Sequence, residues 1–266
     1  LDLDLALNFV ERRGTALELA RMKNVLHGEK PPPSVAMAYL TRQNANGSFP
    51  FGQEAGGVGA VGDTCFALAI LDDLGLLGWE VAGRALGFLV AAQLPDGGWD
   101  EAPAIARYDP PPWAVPGDER ARVYLTAYAA LWLGLAGRKD EPAFDRALRF
   151  LLARRDAAGR FAGFIHATWL AAGACLLAGE ADAACKSIEV LAARPLADWA
   201  DSQMSWALWA LGAAGLPPDH GLARAWLPEL ARRQRADGSW AAEDGEAYAV
   251  NATIETAKVM RLFGVA

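Results

Sequence analysis

The phrase RALGFLVAAQLPDGGW, residues 84–99, recurs along the chain in more or less worn form. It reads as a helix ending in Gln93, a turn through Asp96, Gly97 and Gly98, and a closing aromatic, Trp99. YLTRQNANGSF closes on Phe49, FLLARRDAAGRF on Phe161, VLAARPLADW on Trp199 and LARRQRADGSW on Trp240. A unit repeated at such spacing is one supersecondary element stacked several times, each copy burying the apolar face of its neighbour.

Each unit holds two helices of different character. The first is one-faced: over 142–155, Phe144, Leu148, Leu151 and Leu152 fall on one side and charges on the other. The second is apolar around most of its circumference and rich in small residues, as over 63–74, 124–135, 166–177 and 204–215, with a more polar last copy over 251–263. A helix apolar all round belongs inside and a one-faced helix outside. Five pairs are legible, and a helix over 15–27 supplies a sixth inner member. The expected fold is all-α, a single (α/α)6 toroid domain over residues 1–266 with inner and outer helix rings.

The links that lead into inner helices are long: 44–61 is glycine-rich, 100–120 carries five prolines, and 241–250 forms a third. Long links gathered at one rim mark the expected working face.

With 266 residues, 53% of them hydrophobic, the chain has ample material for a large core. A net charge of −7 without a Lys/Arg cluster argues against a nucleic-acid partner. Three cysteines, Cys65, Cys175 and Cys185, form neither a disulfide framework nor a CxxC zinc site, which fits a cytoplasmic protein. The opening LDLDLALNFVERR has no basic leader and does not read as a signal peptide. The apolar run 161–179 is long enough to span a bilayer, but the repeat makes it a helix buried on all sides.

The spacing of Arg84, Ala85, Phe88, Leu89, Gln93, Gly97 and Trp99 resembles the QW repeat of the squalene-cyclase and prenyltransferase superfamily. Arg146, Ala147, Phe150, Leu151, Gly159 and Phe161 repeat it with Arg155 in place of Gln, and Gln234, Gly238 and Trp240 keep its second half. The resemblance covers nearly the whole chain. It implies an α/α toroid that takes an isoprenoid or similar apolar molecule into a central funnel. Squalene-type cyclases carry a DxDD acid motif at the start of an inner helix; in the matching register this chain has Ala60, Val61, Gly62, Asp63, Thr64 and Cys65. Gly62 stands where the donor acid would be, and Asp63 alone remains. Prenyltransferase β-subunits hold zinc with an Asp-x-Cys and a later His, for which Asp63, Cys65 and His166 are the matching set, and they require a second subunit. Two repeats separate Cys65 from His166, a wide gap for ligands that must meet at ~2 Å.

The candidate acids are Asp63, Asp201 and Glu255, at or near inner-helix starts, where capping is the structural alternative. Phe66, Tyr124, Tyr128, His166, Trp169, Trp206, Trp209 and Tyr248 are the candidate aromatic wall, suited to an isoprenoid chain and to carbocations; ordinary packing is their alternative. Arg120 and Arg122 are candidates for a diphosphate, against a solvated ion-pair network. Three readings stay open: acid-initiated, class II-like terpene cyclisation without a metal; a non-catalytic lipid-binding or scaffold toroid; and a zinc- or magnesium-dependent prenyltransferase-like protein. The expected location is cytoplasmic or peripheral to a membrane.

Overall fold

A computed structural model describes residues 1–265. Its regular structure is all-α apart from one two-residue ladder. The described residues form twelve α-helices, in order α1 (Leu3–Arg13), α2 (Ala16–His27), α3 (Pro33–Leu40), α4 (Val61–Asp73), α5 (Glu80–Ala92), α6 (Glu119–Leu135), α7 (Pro142–Leu152), α8 (Ile165–Ala178), α9 (Ala181–Ala193), α10 (Asp201–Ala213), α11 (Gly221–Arg232) and α12 (Ala249–Leu262). Strands β1 (Phe49–Pro50) and β2 (Gly59–Ala60) pair antiparallel inside the glycine-rich link. No helix is long and apolar enough to cross a membrane, among the described residues.

The chain divides into two compact units. One comprises Leu1–Met37, Asp73–Gly75 and Ala192–Ala266; the other comprises Ala38–Asp72 and Leu76–Leu191.

In the second unit, α6 packs against α8 and α7. Every residue of α6 from Val123 to Gly134, and of α8 from Ala167 to Cys175, is buried. The approach of these two helices depends on small residues: a Cβ on Gly134 would lie 2.8 Å from Leu177 Cδ1. By contrast α7 buries one face, through Ala143, Phe144, Ala147, Leu148 and Leu151. In the first unit α12 packs on α10, α2 and α1. The helix expected over 15–27 is α2, entered through a Thr15–Glu18 capping box.

The joint between successive helix pairs is built by recurring hydrogen bonds. Gln93 Nε2 donates to Gly97 O in its own turn and to Ala143 O at the head of α7. Gln43 does the same to Gly47 O and Val81 O in α5. Gln234 does it to Gly238 O and Asp2 O, so the turn after α11 grips the head of α1. Gly97 has a φ of 90° and a Cβ there would fall 2.5 Å from Arg146 O; Gly238, with a φ of 95°, meets Leu5 O at 2.3 Å in the same way. Only glycine satisfies both the left-handed backbone and the close approach.

The closing aromatic is then tied to the next inner helix. Trp99 N–H donates to Thr126 Oγ1, which donates to Arg122 O. Phe49 N–H uses Thr64 in this way and Trp240 N–H uses Thr253. The indole N–H groups of Trp99 and Trp240 donate back to Leu89 O and Leu230 O. These aromatics are fully buried scaffold.

Candidate active site

The second unit brings Asp63, Phe66, Tyr124, Tyr128, His166 and Trp169 into one neighbourhood. Asp63 occupies the first turn of α4 and is 7% exposed. Gln53 Nε2 donates to its Oδ1 at 3.3 Å and to its backbone carbonyl at 3.2 Å. Gln53 in turn accepts from the Tyr39 hydroxyl. Gln53 has a φ of 60°, in the left-handed region that a non-glycine residue adopts at a cost of ~1 kcal/mol. The link thus holds the Gln53 side-chain amide against the carboxyl. Burial raises the pKa of Asp63 to about 6, against the hydrogen bonds from Gln53 and from backbone groups that pull it down.

A second carboxyl meets the same helix start. Glu101 directly follows the Trp99–Asp100 corner and is 3% exposed. It accepts from Val61 N–H and Gly62 N–H, both at 2.8 Å. Burial, with Asp63 and Asp100 adding repulsion, lifts it to about 7 despite those two bonds.

One turn along α4 from Asp63, Phe66 meets Trp113 edge-on at 5.7 Å and Tyr128 at 5.5 Å. Trp113 comes from the short 3-10 turn Pro112–Ala114 in the proline-rich link and reaches Tyr124 at 6.1 Å. Tyr124 continues to Phe164 and His166, each at 6.3 Å, and His166 lies 4.6 Å from the Trp169 ring. Phe66, Trp113, Phe164 and His166 retain accessible surface, whereas Tyr124, Tyr128 and Trp169 are buried. The cluster therefore has rings with accessible surface and rings packed among them. Glu101, Gln53, Trp113 and Phe164 were not among the expected site residues. The signal for Gln53, Glu101 and Trp113 lay in the long links 44–61 and 100–120, whereas Phe164 directly precedes α8; each reaches Asp63 or its wall only through tertiary folding.

The other candidates are placed differently. Asp201 heads α10 in the first unit, where it pairs with Arg233 at 3.1 Å and accepts from Ala241 N–H at 2.9 Å. That is a structural clasp rather than an available acid. Glu255 lies on α12, accepts from Asn251, and is raised to about 7 by burial, with Arg21 opposing and Asp73 reinforcing the rise. Nearby, Lys258 sits over the Trp209 ring at 4.8 Å. Trp206 on α10 keeps part of its surface accessible. Tyr248 lies in the 3-10 turn Glu246–Tyr248 and is 57% exposed, so it lines nothing.

The diphosphate expectation for Arg120 and Arg122 is corrected by their partners. Arg122 is ion-paired with Asp96 at 2.6 Å and Glu119 at 3.3 Å, with Asp100 at 3.8 Å. Three carboxylates leave no cationic excess there. Arg120 points outward and lies over the Phe164 ring at 5.4 Å. Asp63, Cys65 and His166 do not assemble as a metal set: no group of three His, Cys, Asp or Glu that could hold a metal ion exists among the described residues. The buried Cys65 thiol is held well above its usual pKa by burial and by Glu101 and Asp63, the opposite of what a thiolate ligand needs.

No protein-family model matches the chain, and no curated protein matches it in sequence. Among solved structures, a protein from Actinoplanes superposes with a TM-score of 0.68 at 20% identity, covering 98% of each chain. Type II terpene cyclase MstE from Scytonema, in its apo form, superposes with a TM-score of 0.63 at 16% identity, over 99% of this chain and 97% of that one. An MstE variant in complex with geranylgeranyl dihydroxybenzoate, its substrate, gives 0.64 at 14% identity, over 99% and 96%. Over almost its whole length, this chain is similar in fold to a type II terpene cyclase.

Proposed function

We propose that this protein is a terpene-cyclase-like enzyme that takes an isoprenoid chain against the aromatic wall of the second unit, with Asp63 as the initiating acid. The observation that carries this reading is Asp63 itself: a buried carboxyl at an inner-helix start, still substantially protonated near pH 6, one turn from Phe66 and the Trp113 ring that meets it. The fold likeness to MstE supports it, and so does the isoprenoid nature of the molecule bound there.

The chemistry is an isomerisation. The Asp63 O–H bond breaks and its proton adds to one carbon of a terminal double bond, whose π electrons form the new C–H bond. The adjacent carbon becomes cationic and is attacked by the next double bond, which closes a ring. Loss of a proton from the last cation balances the first transfer. The Gln53 amide and the backbone amides around it stabilise the carboxylate left behind, which strengthens the acid. Ring faces along the wall stabilise the passing cations.

The lipid-binding reading rests on the same rings: Phe66, Trp113 and Phe164 offer accessible apolar surface whether or not Asp63 gives up a proton. One experiment separates the readings. The purified protein is incubated with isoprenoids from geranyl to squalene length, with and without a phenolic or diphosphate head group, and analysed by mass spectrometry. A cyclised isomer of unchanged mass, lost in Asp63→Asn, supports the enzyme. Retained but unchanged ligand supports a binder, and neither product nor ligand overturns both.

A further inference from the structure

Glu101 belongs to a different repeat from Asp63, yet it closes over the first turn of α4. Each of its carboxyl oxygens accepts one backbone N–H of that turn. A Cβ built on Gly62 would lie 3.1 Å from Glu101 Oε1 and 3.0 Å from Trp113 Cζ3, with Leu125 Cδ2 next at 3.4 Å. The space that a side chain at position 62 would enter is therefore filled, and a carboxyl is among the groups that fill it. We propose that Glu101 is the second carboxyl of the acid centre: a positioning residue, brought in from the neighbouring segment where Gly62 carries no side chain, whose charge is coupled to that of Asp63. This rests on the reading of Asp63 as the acid.

Both carboxyls approach one helical turn and both are buried. The groups that act on Glu101 are Asp63 from α4 and Asp100 from its own segment, both acidic. The Cys65 thiol, one turn into α4, feels both Glu101 and Asp63. Two carboxyls in one desolvated place resist joint ionisation, so a charge on Asp63 helps to keep Glu101 protonated. Glu101 also fixes the geometry. By engaging the free amides of Val61 and Gly62 it locks the turn that aims Asp63, in the manner of a cap supplied from outside the helix.

The test needs no substrate, so its outcome is separate from that of the cyclase reading. Side-chain carboxyls are titrated by carbon-13 NMR in the native protein, in Glu101→Gln and in Asp63→Asn. In each variant the remaining carboxyl is expected to titrate about one pH unit lower than in the native protein, a roughly tenfold fall in proton affinity. A Glu101 that merely caps α4 would change thermal stability in Glu101→Gln and leave the Asp63 titration in place, which overturns the proposal. Should Glu101→Gln fail to fold, Asp63→Asn alone decides: an unmoved Glu101 titration sinks the coupling. Where turnover is found, the alkaline limb of its pH profile moves down in Glu101→Gln and kcat falls while KM holds.

Discussion

Glu101 Oε1 accepts the Gly62 N–H at 2.8 Å and lies 3.1 Å from the point where a side chain on Gly62 would begin. Gly62→Asp starts a side chain in tight contact with Glu101, Trp113 and Leu125, each of which must give way by a few tenths of an ångström, and sets a third carboxyl beside two others. Overpacking of this kind costs about 1–3 kcal/mol. The expected result is a lower denaturation midpoint for Gly62→Asp, partly recovered when Glu101→Ala is added. An unchanged midpoint for the single variant would show that the space is not filled.

Asp63 sets a pH dependence with a definite sign. Its pKa rises from the ordinary 3.8 to about 6 in the folded protein, so the native state binds the proton more tightly than the unfolded chain. The stability it contributes is full below 3.8 and is lost as the pH climbs through 6. On the proposed mechanism turnover follows the same proton, holding below about 6 and declining above it. Asp63→Asn removes the proposed donor and should lower kcat by roughly 10²–10⁴-fold. Rate measurements from pH 5 to 8 check both statements.

The threonine joint is testable without any ligand. Thr126 Oγ1 receives the Trp99 N–H and is itself anchored on Arg122 O. Thr126→Val keeps the shape and strands a buried amide, which costs about 1–3 kcal/mol. Trp99→Ala empties a fully buried site at about 3–5 kcal/mol. Trp99→Ala keeps the backbone N–H that Thr126 accepts, so the two costs come from different interactions, and a denaturation cycle should find the double variant near their sum.

The repeat made the helix pairs legible because the Gln, Gly and aromatic positions do local work that leaves a fixed spacing. Inner helices such as α6 and α8 stood out because burial on all sides demands an all-round apolar sequence. α1 did not stand out. Its Leu–Asp alternation masks the helical period, although Ala6, Phe9 and Val10 form its buried face. The ladder at Phe49–Ala60 was too short to leave a pattern. Of the candidate site, the places of Asp63 and of the ring residues on α4, α6 and α8 were legible from their inner-helix positions. Glu101 was not, because nothing near it in sequence shows that its partners are the amides of residues 61 and 62. Asp201 misled for the same reason: its partner Arg233 lies on the far side of a helix pair.

A last prediction concerns the first unit, where Asp73 is 4% exposed and accepts from two cations. Arg21 donates through Nε at 3.0 Å and Nη2 at 2.8 Å, and Lys258 donates at 2.6 Å. Burial alone would raise the Asp73 pKa, but Lys258 and Arg21 outweigh it and hold the carboxyl below its usual value. The stability from this group is therefore present above 3.8 and is lost as the pH falls through the lower folded value. Removing one cation leaves the other to bear a buried carboxylate, so Lys258→Met should destabilise by up to ~3–5 kcal/mol, the range for breaking a buried pair. Asp73→Asn takes the buried carboxylate away from both cations and should cost at least as much at pH 7, with a smaller penalty near pH 3. Urea denaturation of the two variants at both pH values measures this. Equal penalties at pH 7 and pH 3 would mean that the Asp73 charge does not hold α2 and α12 to the end of α4.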